Sequence, residues 1–291
     1  MKASLSYRSF QIFNALIMTL VVVATLYPFV YLIAQSFSSE AAVYAGKVSF
    51  YPVEFTAQTY KIILSKPDFF RYYGNTILYS VVGTFISVAL TAVMAYPLSK
   101  DKLRMNKFFI PFVIFTMYFG GGLIPNYILI AKTLAMRDTI WAIVLPGAIS
   151  AFNVILMKTF FSSLPNEVEE AAKVDGLDVF GIFLKITLPL SKPILATIML
   201  FVVVGLWNSW FGASLYIQSK DKWPVALYLR QLIENAISPT EVGATTADQQ
   251  SQIAATVKSA AMVLTSLPII CVYPFIQKYF VQGMMIGSVK G

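Results

Sequence analysis

Long apolar stretches alternate with short polar ones along the whole chain. Six stretches carry no Asp, Glu, Lys or Arg over roughly the 17–25 residues that a transmembrane helix needs. The pattern therefore predicts an all-α, polytopic membrane protein with a single transmembrane domain over 1–291. The six predicted spans are residues 11–36, 73–99, 108–124, 139–157, 193–217 and 259–277.

The third apolar stretch allows two interpretations. Residues 108–131 carry no charge, but three glycines at 120–122 and Pro125 interrupt them. Because Gly and Pro weaken a helix, we predict that the span ends near the glycines and that 126–135 form an interfacial helix. One kinked span through Ala131 is the alternative, and hydrophobic periodicity does not decide between the two.

Basic residues orient the predicted spans. The short loop after the second span holds Lys100, Lys102, Arg104 and Lys107, and such clusters mark cytoplasmic loops. Six spans with this loop inside place both termini in the cytoplasm. The other predicted segments are a loop at 158–192 and a tail at 278–291, both cytoplasmic, and external segments at 40–71 and 218–258.

The composition agrees with a membrane protein. Hydrophobic residues make up 57% of the chain and charged residues only 12%, with a mean hydropathy of +0.70. The net charge of +8 reflects orientation rather than nucleic-acid binding, since no stretch interleaves clustered Lys and Arg with aromatic residues.

Several kinds of chemistry are excluded by the residues themselves. The chain has no His and one Cys, so a zinc or iron site is not expected, and Cys271 is predicted to be a buried apolar residue. No GxxxxGK[ST] run is present, so the chain has no P-loop of its own. Energy for any active process must come from another chain.

The loop between the fourth and fifth spans predicts a short helix, a stop and a second helix. Glu169 and Lys173 are spaced as an i,i+4 ion pair within the first helix. Asp175 and Gly176 form a typical helix end, because glycine adopts left-handed backbone geometry without strain. Asp178 is suited to cap the second helix.

This loop resembles the EAA loop of the membrane subunits of binding-protein-dependent ABC importers. The one departure is Leu177, where the family usually has Ala. The matching positions are Glu170, Ala171, Ala172, Asp175, Gly176, Phe183, Leu188, Pro189 and Pro193.

The resemblance implies a type I ABC importer permease fold in the bacterial cytoplasmic membrane. The partners it implies are a second homologous permease, two copies of a cytoplasmic ATPase, and an extracytoplasmic solute-binding protein. ATP and Mg would be bound by the ATPase, so this chain would bind no cofactor and would not be an enzyme. The ATPase-coupling residues it implies are Glu170, Ala171, Ala172, Asp175, Gly176, Leu177, Phe183 and Pro189.

Further motifs narrow the resemblance. The runs GGGLIPNYILI and GLWNSWF and the tail YFVQGMMIGSVKG look like the carbohydrate-uptake branch, which includes the smaller permease of the maltose importer. They look closest to permeases for alginate- and rhamnogalacturonan-type oligosaccharides. The resemblance implies that the tail, with Gly283 and Gly287, reaches between the ATPases; an unstructured end is the alternative.

The polar residues of the spans are uncharged, which favours a carbohydrate over an ion. Amides hydrogen-bond hydroxyls, and aromatic faces pack on sugar rings. The predicted substrate path uses Asn208, Trp207, Trp210, Asn153 and Tyr118. Asn153 could instead bond between helices, and the tryptophans could lie at the membrane interface.

Two other functions remain open from the sequence. An importer permease for a peptide fits the same motifs. A polytopic membrane enzyme fits less well, because the acidic residues of the external segments are scattered rather than paired.

Overall fold

The computed structural model describes residues 5–65, 67–100, 103–237, 255–272 and 274. Within these ranges every regular element is a helix, which confirms the all-α prediction. In chain order the elements are α1 Leu5–Ser36, α2 Glu40–Tyr44, α3 Gln58–Leu64, α4 Pro67–Leu98, α5 Asn106–Tyr118, α6 Leu123–Tyr127 with a π-helical turn Ile128–Thr133, α7 Trp141–Val144, α8 Ala151–Ser162, α9 Asn166–Val174, α10 Val179–Ile182 with a π-helical turn Phe183–Thr187, α11 Leu188–Leu190, α12 Lys192–Trp207, α13 Phe211–Tyr216, a 3-10 turn Lys220–Lys222, α14 Val225–Ile237 and α15 Ala255–Val272.

Three of the described helices are long and apolar enough to cross a membrane: Ser9–Ser36 of α1, α4 and α15. Two further candidates are bent. α5 is followed by Leu123–Thr133 at an angle of 105°, and Val179–Leu190 meets α12 at 79°. The first bend falls at the three glycines, where Gly122 has a φ of 82°.

The fourth predicted span is not one helix. α7 ends at Val144, and Pro146, which lacks an N–H, follows directly. α8 then begins after Ser150, whose hydroxyl accepts from the Asn153 N–H at 3.5 Å. A proline and a capping serine thus divide an apolar stretch that hydropathy alone predicts to be continuous.

The fifth predicted span is also divided. α12 ends at Trp207, with Asn208 at its C-terminal cap, and α13 begins at Phe211. The backbone N–H and the side-chain amide of Asn208 both donate to the Val204 carbonyl, at 3.2 and 2.9 Å.

The chain divides into two compact units. The first comprises residues 1–69 and 228–267. Its small core holds Ala34, Ala42 and Val43. The buried Ser38 hydroxyl donates to the Ala34 carbonyl at 2.7 Å and accepts from the Val53 N–H at 3.0 Å, which ties the segment after α1 to the loop before α3.

The second unit, residues 70–227 and 268–291, contains the larger core. α8 packs against α5 and α12, and its Val154 and Met157 are fully buried. α4 approaches α12 closely at Gly83: a Cβ there would lie 2.5 Å from Leu206 Cδ1. Glycine at this position therefore sets the spacing of the two helices.

Exposed apolar surface is extensive, as expected for spans that face lipid or another subunit. The apolar window of α1 is entirely exposed. Cys271 on α15 is also exposed, so the prediction of a buried cysteine is wrong. Core-facing and lipid-facing positions are both apolar, so composition does not separate them.

Candidate functional site

The loop between α8 and α12 contains the predicted helix, stop and helix. α9 ends at Val174, and Gly176 has a φ of 83°, the left-handed conformation that ends many helices. The Gly176 N–H donates to the Lys173 carbonyl and the Leu177 N–H to the Ala172 carbonyl, both at 3.0 Å. The predicted stop is confirmed.

The second helix of the loop is capped as predicted. Asp178 Oδ1 accepts from the Gly181 N–H at 2.8 Å and so fixes the start of α10. We call residues 166–182 the coupling hairpin, after the role that the resemblance to the EAA loop implies for them.

The coupling hairpin has an outer and an inner face. Glu170, Ala171 and Asp175 are exposed, whereas Glu169 and Ala172 are buried against the rest of the chain. Val174 is 88% exposed, an unusual position for a branched apolar side chain. The outer face therefore offers acidic and apolar groups together to a partner.

Two of the predicted coupling residues pack inward. Phe183 is buried, and its ring lies 5.0 Å from that of Tyr96 near the end of α4. Ala172 is 5% exposed. Both anchor the hairpin to this chain's own core, whereas Leu177 is half-buried and Pro189 is exposed.

Glu169 has a different partner from the predicted one. Its carboxylate forms an ion pair with Lys100, just after α4, rather than with Lys173 one turn along α9. The predicted local pair is wrong because Glu169 points into the chain, where its side chain is only 12% exposed. A tertiary contact has replaced a local one.

A cavity of about 700 Å³ lies in the second unit, among α4, α8, α12 and α13. No charged side chain occurs among the described residues that line it. Its lining residues with polar side-chain groups are Ser87, Ser150, Asn153, Ser209 and Tyr216. The Ser87 hydroxyl is 1% exposed and makes no hydrogen bond within the described part of the chain.

The structure brings only part of the predicted path to this cavity. Asn153 lines it, but Asn208, Trp207, Trp210 and Tyr118 do not. Trp207 is buried with its ring 6.0 Å from that of Tyr73, Trp210 packs on Phe211 at 5.5 Å, and Tyr118 is 77% exposed.

Sequence reasoning missed Ser87 of the cavity. Ser87 is one of several hydroxyl residues in α4, where a hydroxyl usually bonds to its own backbone, and the sequence does not single it out. Gly283 and Gly287 of the predicted tail lie outside the described residues.

A second polar cluster holds the segment after α13. The Asp138 carboxylate accepts from the Ser219 N–H at 3.0 Å, the Ser219 hydroxyl at 2.6 Å and the Gln218 N–H at 3.1 Å. Lys222 Nζ lies 2.9 Å from the same carboxylate. The hydrogen bonds from Ser219, with those from Lys222 and Gln218, hold the pKa of Asp138 well below its usual value.

The first turns of α4 hold the same segment from the other side. Asn75 Nδ2 donates to the Asp221 and Trp223 carbonyls at 2.7 and 3.0 Å. The Tyr79 hydroxyl donates to the Lys222 carbonyl at 2.7 Å. These bonds fix the backbone of a predicted external segment.

Comparison with known proteins decides the family. The profile of the "binding-protein-dependent transport system inner membrane component" family matches residues 2–286. The chain belongs to this family. Protein LplC of Bacillus subtilis (strain 168) is 44% identical, over 98% of this chain and 96% of LplC. The polygalacturonan/rhamnogalacturonan transport system permease protein YtcP of the same organism is 39% identical, over 91% of this chain and 92% of YtcP.

Solved structures show the same permease fold. A chain of a bacterial ABC transporter involved in the import of the acidic polysaccharide alginate is 35% identical, with a TM-score of 0.84. The match covers 96% of this chain and 99% of the transporter chain. A chain of a bacterial alginate ABC transporter in complex with alginate pentasaccharide-bound periplasmic protein is 13% identical, with a TM-score of 0.56 over 92% and 93%. The second likeness concerns the fold alone. The chain is thus an inner-membrane permease component with a type I importer fold.

Proposed function

We propose that this permease is one membrane subunit of an ATP-driven importer that carries an oligosaccharide into the cytoplasm. The observation that carries the proposal is the cavity of about 700 Å³, whose described polar lining consists of hydroxyls and one amide. Such groups donate to and accept from sugar hydroxyls, and their O–H and N–H groups can also donate to the carboxylates of an acidic sugar. The printed functions of YtcP and of the alginate importer support a polysaccharide-derived substrate.

Aromatic rings complement the polar groups of the cavity. Phe152 and Phe201 both line it, with ring centroids 6.4 Å apart. Their faces can pack on the apolar faces of sugar rings, while Ser87 and Asn153 bond to hydroxyls. Asn153, from the predicted path, lines the cavity together with the serines.

Coupling to ATP would occur at the outer face of the hairpin. Glu170 and Asp175 can form charge-assisted hydrogen bonds with a cytoplasmic ATPase, and Ala171 allows close approach. The ATPase, in two copies, would bind ATP and Mg, while a second homologous permease would complete the cavity. The termini would be cytoplasmic, and segments 40–71 and 218–258 would receive the loaded solute-binding protein.

The test is uptake by the purified importer in liposomes. This permease is assembled with its second permease, the ATPase and the binding protein, which gene proximity identifies. Labelled rhamnogalacturonan and alginate oligosaccharides are the probes, and a peptide of similar mass is the control. We expect ATP-dependent accumulation of at least one oligosaccharide and none of the peptide. Peptide uptake without oligosaccharide uptake would contradict the proposal.

A further inference from the structure

We infer that the Lys100–Glu169 ion pair is the intrasubunit link through which the coupling hairpin moves α4. The inference rests on the proposed function, since it concerns how ATP-driven motion of the hairpin reaches the spans. It assigns a positioning role to two side chains that lie at neither the outer face of the hairpin nor the substrate cavity.

The pair is enclosed rather than on the surface. The Glu169 side chain is 12% exposed and that of Lys100 30%. The Lys100 ammonium also lies 4.6 Å from the centroid of the Tyr96 ring, one turn earlier in the chain, so an aromatic face covers it. An ion pair in such surroundings is screened less by salt and water than an exposed pair.

The segment that carries Lys100 is held in place by its own hydrogen bonds. Asn106 Nδ2 donates to the Lys100 carbonyl at 2.7 Å and to the Leu98 carbonyl at 3.3 Å. The Ser162 hydroxyl, at the end of α8, donates to the Ser99 carbonyl at 3.1 Å. The carbonyls at the C-terminus of α4 are therefore satisfied by α5 and α8, and Lys100 is a fixed extension of α4.

Both halves of the hairpin meet this end of α4. α9 is attached through Glu169 and Lys100. The chain after α10 is attached through Phe183, whose ring lies 5.0 Å from that of Tyr96. The apolar contact sets the position, and the directional ion pair opposes rotation of α9 about it. A pull on the outer face is therefore transmitted to α4.

α4 connects this end to the substrate cavity. It is one helix from Pro67 to Leu98, and Ser87 and Gly83 on it line the cavity. Nine residues separate Tyr96 from Ser87, which is about 14 Å along the helix axis. Motion of the cytoplasmic end of α4 thus displaces a wall of the cavity directly.

The first test measures oligosaccharide transported per ATP hydrolysed by the reconstituted importer, with labelled rhamnogalacturonan oligosaccharides as the probe. Lys100→Gln and Glu169→Gln are each expected to lower the ratio by about fivefold or more. The double variant Lys100→Glu/Glu169→Lys, which keeps an ion pair with the charges exchanged, is expected to restore at least half of the wild-type ratio. Lys107→Gln, which removes an exposed charge seven residues after Lys100, is the matched control and should keep the wild-type ratio.

A merely structural role predicts a different result: lower yield of assembled importer with an unchanged ratio. Unchanged ratios in both single variants overturn the inference. If the single variants do not assemble, the exchange variant decides, and an assembled exchange variant with a low ratio also overturns it.

The second test needs no transported substrate. Spin labels are placed in the assembled importer at Val174 on α9 and Val93 on α4, which are 88% and 58% exposed, in a Cys271→Ala background. The wild-type distance between the labels should stay the same with and without ATP, because α9 and α4 move together. Glu169→Gln should make it depend on ATP. A distance that depends on ATP in the wild type overturns the inference. Failure of oligosaccharide uptake refutes only the proposed substrate, and this second test then still applies.

Discussion

Lys222 Nζ lies 2.9 Å from the carboxylate of Asp138, 84 residues away in the chain, and 2.8 Å from the backbone carbonyl of the same residue. Asp138 has a φ of 60°, so its backbone is held in the left-handed region as well. One aspartate therefore joins the segment after α13 to the turn before α7, on the predicted outer side of the protein.

The first prediction concerns the charge of Asp138. Asn, like Asp, tolerates the left-handed backbone at this position and has nearly the same side-chain shape. Asp138→Asn therefore removes the negative charge that the hydrogen bonds stabilise. Charge-assisted bonds of this kind contribute about 1.5 kcal/mol. We expect the Tm of the detergent-solubilised importer to fall by about 4 °C at pH 7.

The same variant predicts a pH dependence. Because the pKa of Asp138 is lower in the folded protein than in the unfolded chain, its stabilisation is present at neutral pH and is lost as the pH falls toward the folded value. The Tm difference between wild type and Asp138→Asn should therefore shrink below about pH 4. A difference that is constant from pH 7 to pH 3 would show that the charge is not responsible.

The second prediction concerns the turn of the coupling hairpin. A Cβ at Gly176 has no atom within 4 Å, so Gly176→Ala adds strain only through its φ of 83°, at a cost of about 1 kcal/mol. We expect partial loss of oligosaccharide uptake per ATP, and a nearly complete loss with Gly176→Pro. Gly122→Ala is the matched control: it has a φ of 82°, and a Cβ there would meet only Pro125 Cδ at 3.9 Å, but it lies between α5 and α6, outside the hairpin. This control variant should lower the stability by a similar amount and leave oligosaccharide uptake per ATP unchanged.

The third prediction concerns the outer face of the hairpin. Glu170 is exposed in this chain, so Glu170→Lys should not impair membrane insertion or assembly of the spans. Reversed charge at a partner surface should nevertheless lower uptake by about tenfold or more, with a smaller effect from Glu170→Gln. Membrane fractionation checks insertion, and liposome uptake checks transport. Normal uptake by Glu170→Lys would remove this residue from the ATPase contact.

The fourth prediction separates binding from stability in the cavity. A buried hydroxyl without a partner costs about 1–3 kcal/mol, so Ser87→Ala should raise the Tm of the substrate-free importer. The same change should raise the KM for oligosaccharide several-fold, because Ser87 lines the cavity. Asn153→Leu should raise the KM for oligosaccharide further.

Thr91→Val is the control for Ser87. Thr91 is fully buried on the same face of α4, and its hydroxyl also has no partner within the described residues, but it does not line the cavity. It should raise the Tm and leave KM unchanged. Equal effects of both substitutions on KM would mean that the path does not pass Ser87.

The parts of the site that sequence predicts are those made by neighbours in the chain. Asp175, Gly176 and Asp178 act through backbone groups within four residues, so their pattern alone predicts the turn and the cap. The family motif, which is also local, indicates the same loop.

Contacts between distant residues were not predictable in this way. Glu169 has a suitable partner in Lys173, yet it pairs with Lys100, 69 residues earlier, because only tertiary packing determines which side of α9 is buried. The cavity was missed for a related reason: residues from α4, α7, α8, α12 and α13 line it, and only tertiary packing brings these helices together. In a membrane protein the apolar pattern gives the helices but not the side that faces the core.

The central claim is that a separate cytoplasmic ATPase acts on the coupling hairpin. Photo-cross-linking from Val174, at its most exposed apolar position, tests this claim most directly in the assembled importer within its native membrane. We predict a cross-link to the ATPase subunit that changes in yield when ATP is added. A cross-link to the extracytoplasmic binding protein, or none to the ATPase in an importer that transports normally, would contradict the account.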